Sequence, residues 1–116
     1  MMTIGEVAEW ILRNRRGKAF EGYSLSSIIR QLSYCADNNT MLCVTEGNQI
    51  VGVVCCEKHV DKKIMFIQDI LTTKSGIVKR MAEFFRDNYP QYEFTGINRH
   101  GRKRKFTSIN KVVERL

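Results

Sequence analysis

The chain has 116 residues, 43% of them hydrophobic and 27% charged, with a single proline and eight glycines. That suits one ordinary domain able to bury a core, and it excludes a disordered, low-complexity or linker-rich chain. The formal net charge is +7. Subtracting the five Lys and Arg of the run 97–106, INRHGRKRKF, leaves +2, so the basic character is partly local.

Thr3 followed by Glu6 is a capping-box pattern, and Ile4, Val7, Trp10 and Ile11 recur at helical spacing. A helix is predicted over 4–13, with Arg13, Arg15 and Arg16 near its negative end. The segment RGKAFEGYS is a predicted loop. A second helix starts near Ser24, with the apolar stripe Leu25, Ile28, Ile29, Leu32 and Cys35, and Asp37, Asn38 and Asn39 end it.

Three β-rich runs follow: TMLCVTE, QIVGVVCCEKHV and IMFIQDILT. Gly47-Asn48 separates the first two and a turn over 60–63 the others, so an antiparallel meander is predicted. The segment 74–90 reads as a helix with Ile77, Met81, Phe84 and Phe85 inward and Lys79, Arg80, Glu83 and Arg86 outward, stopped by Pro90. A strand over 92–97 precedes a turn at Arg99-His100-Gly101 and a return strand over 102–107. A short terminal helix, or alternatively a strand, is predicted from Ile109, Val112, Val113 and Leu116. The expected fold class is therefore α+β, a single domain over 1–116 with a basic hairpin arm at about 92–107.

No leader pattern opens the chain, and no window reaches the ~18 apolar residues of a membrane helix, so a soluble cytoplasmic protein with no membrane partner is expected. Cys35, Cys43, Cys55 and Cys56 lack the spacing of a disulfide framework or a CxxC metal site. Cys55 and Cys56 fall on one strand and face opposite ways. Cys43, Cys55 and His59 are the only metal set the sequence suggests, and reduced, buried thiols are the preferred reading over any metal.

On a strand, Arg102 and Arg104 share one face and Lys103 and Lys105 the other. A ribbon charged on both faces cannot enter a core. It fits a polyanion such as nucleic acid, with Arg99 and His100 as further donors at the turn. Four or five phosphate contacts would give a log–log salt slope of roughly −4 on duplex DNA. Few aromatics flank the arm, which speaks against a single-strand stacking platform. A guarded sheet edge, a protein interface or a cofactor-phosphate contact are the competing readings of the same run.

The element order, with MLCVTEGNQIVGVV at 41–54, KKIMFIQDILTT, SGIVKRMAEFFRDNYP and YEFTGIN ending in Asn98, resembles the central part of the GNAT acetyltransferase fold. The resemblance covers about 7–98. It implies two helices, a three-stranded antiparallel meander, a packing helix and a further strand that splays to form an acetyl-CoA slot. It also implies that Thr73, Lys74, Ser75, Gly76, Ile77 and Val78 hold the place of the pyrophosphate loop, whose family form is (Q/R)-x-x-G-x-(G/A). Only Gly76 matches that form, and Val78 puts a branched side chain where the backbone must approach an anion. The tyrosine that the family uses to protonate its leaving thiolate has no counterpart after Tyr92, and the family's first strand is missing. Asp69 or Glu57 could be offered as a general base.

The expectation is a reduced GNAT-like protein without catalytic residues or cofactor, binding nucleic acid or an assembly partner. It is similar to small proteins of tailed bacteriophages, where it would sit in or beside a virion. A divergent N-acetyltransferase using acetyl-CoA is the alternative, and an inhibitor or adaptor acting by protein contact is the third reading.

Overall fold

The structure, a computed structural model, describes residues 2–97 and 103–106. Helix α1 spans Ile4–Asn14, α2 Leu25–Asp37 and α3 Ile77–Asn88. The strands are β1 (Met41–Glu46), β2 (Gln49–His59), β3 (Ile64–Thr72), β4 (Glu93–Ile97) and β5 (Lys103–Phe106). The protein is a small α+β domain. The terminal segment expected as helix or strand lies outside the described residues, as do Asn98, Arg99, His100 and Arg102.

Local chemistry starts the first two helices. Thr3 accepts the N–H of Glu6 at 3.1 Å, and Ser24 accepts that of Ser27 at 3.2 Å, so each helix has a side chain on one of its orphan donors. Arg15 follows α1 and binds the loop itself. Its guanidinium donates to the carbonyls of Phe20 at 2.9 Å and Tyr23 at 2.7 Å, a specific structural use for a charge that the sequence assigned to the helix dipole.

Thr40 converts helix into sheet. It is buried, its N–H and hydroxyl both reach the Cys35 carbonyl, and its own carbonyl accepts the Cys56 N–H at 2.9 Å. From there β1, β2 and β3 form the antiparallel meander, with Gly47 at φ +61 in the two-residue turn between Glu46 and Gln49. β3 then runs parallel to β4 after the α3 crossover, and β5 returns antiparallel to β4, so the sheet is mixed in the order β1-β2-β3-β4-β5.

Two cores flank this sheet. One face packs Val53, Cys55 and Leu71 against Ile11, Phe20, Ile28, Leu32 and Cys35. The other packs Val54, Cys56, Met65 and Phe94 against Ile77, Met81, Ala82 and Phe85 of α3. Cys55 and Cys56 thus occupy opposite faces, as strand geometry requires. One position departs from the expected stripe of α3. Phe84 is 37% exposed, and Ala82 takes the inward place, because the helix presents a narrow seam to the sheet at 77, 81, 82 and 85.

Candidate functional site

The arm is the first candidate. Phe94 pairs with Phe106, Thr95 with Lys105, Gly96 with Arg104 and Ile97 with Lys103. Lys103, Arg104 and Lys105 therefore lie on a strand that extends the main sheet, not on a ribbon detached from it. Among the described residues β5 is the sheet's terminal strand on that side. Arg99, His100 and Arg102, the other members of the expected polyanion set, fall outside the described residues.

The second candidate is the connection from β3 to α3. Thr73 is tied back to β2, its N–H donating to the Val51 carbonyl at 3.0 Å. Lys74 is engaged by Glu46, whose other oxygen takes Arg80 at 3.1 Å. The Lys74 hydrogen bond, with the nearby charges of Lys74 and Arg80, holds the Glu46 carboxyl below its usual range. Gly76 adopts φ +86 at the helix start, a left-handed conformation that favours glycine. Ile77 is 1% exposed and belongs to the core, and Val78 is half-buried. Of the six residues, Thr73, Lys74 and Ile77 thus have structural engagements of their own.

The strand beside this loop has a distinctive shape. Cys55 pairs with Asp69 and Cys56 with Ile67, so Gln68 is an extra residue that bulges β3. Pairing with β4 runs only from Ile64 to Ile67, and beyond the bulge β3 has no β4 neighbour among the described residues.

Both carboxylates offered as general bases are occupied. Asp69 accepts the Phe20 N–H and the Gln31 amide, each at 2.8 Å, which pins the α1–α2 loop and α2 to β3. Glu57 lies 3.3 Å from His59 and accepts from Gln68 at 3.3 Å. His59 is thereby placed with a carboxylate and not with Cys43 and Cys55. Among the described residues no group of three His, Cys, Asp or Glu is placed to hold a metal.

Of the thiols, Cys35, Cys55 and Cys56 are buried and Cys43 is half-exposed. Burial pushes Cys56 well above the usual thiol range. The Cys35 Sγ lies 3.5 Å from the Cys56 carbonyl, and its hydrogen bond with Cys55 lowers Cys35 to about 7.

Clefts open on the surface of the described residues. One of about 340 Å³ lies between α1 and the β1–β2 turn, lined by Glu6, Glu9, Trp10, Arg13, Asn48 and Gln49. The other, of about 320 Å³, lies between β1 and α3, with Leu42, Val44, Thr45, Arg80 and Phe84. Neither includes any of residues 73–78. Sequence reasoning missed both, and also the Arg15 fork and the Asp69 clamp, because each depends on residues far apart in the chain meeting in space. No described helix is long and apolar enough to cross a membrane.

No protein-family model, no curated protein and no solved structure matches this chain.

Proposed function

We propose that this chain is a reduced GNAT-like domain that acts by binding, and that its basic edge hairpin contacts a polyanion, nucleic acid above all. The observation that carries the reading is the position of Lys103, Arg104 and Lys105 on the terminal strand β5. An edge strand lies at the sheet margin and not within a packed layer, and successive residues alternate between its faces. Contacts of this kind are to phosphates and read charge and shape, not base sequence. The engagement of Lys74 by Glu46, and of both Asp69 oxygens by Phe20 and Gln31, supports binding over acetyl transfer.

The test is fluorescence anisotropy of a labelled duplex of about 20 base pairs, between about 50 and 200 mM salt. Wild type is compared with the triple substitution Lys103→Ala, Arg104→Ala, Lys105→Ala. Binding with a log–log slope of roughly −4 that falls to about −1 in the variant is the expected result, since each phosphate contact contributes about −0.9. Absent binding at low salt, or a slope that ignores the substitutions, would overturn the reading.

One observation favours a second reading, acetyl-CoA binding by a divergent N-acetyltransferase. The bulge at Gln68 and the end of β3–β4 pairing at Ile67 leave the far half of β3, still paired with β2, without a β4 neighbour among the described residues. Calorimetric titration with acetyl-CoA separates the two. Saturable micromolar binding that survives moderate salt would establish the second reading in place of the first.

A further inference from the structure

Two of the buried thiols meet. Cys35, near the end of α2, and Cys55, on β2, are both 0% exposed and share the core on one face of the sheet. Their thiols are hydrogen-bonded to each other. Cys56 belongs to the opposite core, and an extended strand cannot close a bond between neighbouring cysteines across its two faces. Cys43 packs against the first core from β1 and is half-exposed.

Thr40 sets the spacing of the two elements that carry the pair. Its N–H and hydroxyl hold the Cys35 carbonyl at 2.8 and 3.2 Å, and its own carbonyl takes the Cys56 N–H at 2.9 Å. The end of α2 is thereby tied to β2 beside Cys55. Sulfurs already in contact, on backbones fastened in this way, meet the first demand of a disulfide, which tolerates no wide separation of its Cα atoms.

The Cys35 sulfur also has polar neighbours that lead outward. It lies 3.5 Å from the Cys56 carbonyl oxygen and 3.8 Å from the Gln68 Oε1. Gln68 is the residue that bulges out of β3, and it is exposed. A thiol enclosed by apolar groups alone is inert. Cys35 instead has the amide of a flexible surface residue against it, at an irregularity of the strand.

We infer that Cys35 and Cys55 are a peroxide-sensitive dithiol that closes to an intramolecular disulfide linking α2 to β2. Cys35 is the attacking sulfur. Its hydrogen bond with Cys55 lowers it to about 7, while Cys55 is pushed well above the usual thiol range. The Cys35 thiolate attacks one oxygen of hydrogen peroxide. An S–O bond forms, the O–O bond breaks, and the departing hydroxide takes up a proton to become water. Cys35 is then a sulfenic acid, and the peroxide has accepted two electrons. The Cys55 sulfur attacks the Cys35 sulfur next. The S–S bond forms, the S–O bond breaks, and the leaving hydroxide departs as water with the Cys55 proton. Two thiols and one peroxide give one disulfide and two waters.

The experiment is mass spectrometry of the full chain after treatment with hydrogen peroxide near neutral pH, without denaturant. Remaining thiols are alkylated and the chain is digested without reductant. A loss of about 2 Da is expected, with the Cys35 and Cys55 peptides joined, and dithiothreitol should reverse it. Cys55→Ser should stop at the sulfenic acid on Cys35, trapped by dimedone, and Cys35→Ser should show no loss. Cys43→Ser should form the link as wild type does. Should the core variants fail to fold, the peptide map of wild type still decides. No loss of mass in a chain that stays folded by circular dichroism overturns the inference. So does a link through Cys43, or one that forms only in urea.

Discussion

Asp69 on β3 accepts the backbone N–H of Phe20 at 2.8 Å, a contact that ties the loop between the first two helices to the sheet together with the Arg16 bond to the Thr72 carbonyl at 3.2 Å. The second oxygen takes Gln31 of α2, also at 2.8 Å. A carboxylate in that position is a clamp. Asp69→Ala would leave the Phe20 N–H and the Gln31 amide without their acceptor in a half-buried site. Hydrogen bonds to charged groups contribute about 1.5–3 kcal/mol, and a loss in that range is expected by urea unfolding. Asp69→Asn, which keeps one acceptor oxygen, should lose less.

Gly52 allows α3 to approach the sheet. A Cβ there would stand 2.7 Å from Ile77 Cγ2 and 2.7 Å from Met81 Cε. Met81 can swing aside, whereas the branched Ile77, 1% exposed, has little room. Gly52→Ala should therefore destabilise by about 1–3 kcal/mol, the ordinary cost of overpacking. Thermal denaturation of the variant checks this, and combining it with Ile77→Ala, which removes the clashing Cγ2, should cost less than the two single losses summed.

Alkaline pH should weaken the fold through Cys56. Burial raises this thiol, so it stays protonated in the folded protein while the unfolded chain ionises near the ordinary value of 9.0. A group raised on folding contributes fully below its unfolded value and loses that contribution as pH rises. The expected slope is about 1.4 kcal/mol per pH unit above that point. Urea midpoints at successive pH values should fall less steeply in Cys56→Ala than in wild type, the remainder coming from Cys55 and Cys43, which folding also raises.

Trp10 is the chain's single tryptophan and is 9% exposed, at the floor of the cleft beside Glu6 and Glu9. Its emission should be blue-shifted in the folded protein and poorly quenched by iodide. Unfolding should move it to the red in one step with the circular dichroism signal, since α1 packs into the same core as α2. A red-shifted, readily quenched native emission would contradict the packing of α1.

Much of the architecture was legible locally. Thr3 and Ser24 announce helices because a hydroxyl before an apolar 3.6-residue pattern satisfies donors that no other local group can reach. The meander follows from three β-rich runs joined by short turns. The alternation that parts Cys55 from Cys56 needs only a strand. Phe106 on β5 pairs opposite Phe94 on β4, while the turn expected at Arg99-His100-Gly101 lies outside the described residues.

What the sequence determined by itself was element type, element order and the concentration of positive charge near one end, since each depends on neighbours a few positions apart. Tertiary structure alone decided that Lys74 faces Glu46, that Asp69 holds Phe20, that Gln68 bulges out of β3, and that among the described residues β1 and β5 form the two margins of the sheet. Those facts join residues distant in the chain. Short-range propensity carries no record of which strand ends beside which helix, because that choice is made by burying both faces of one sheet at once.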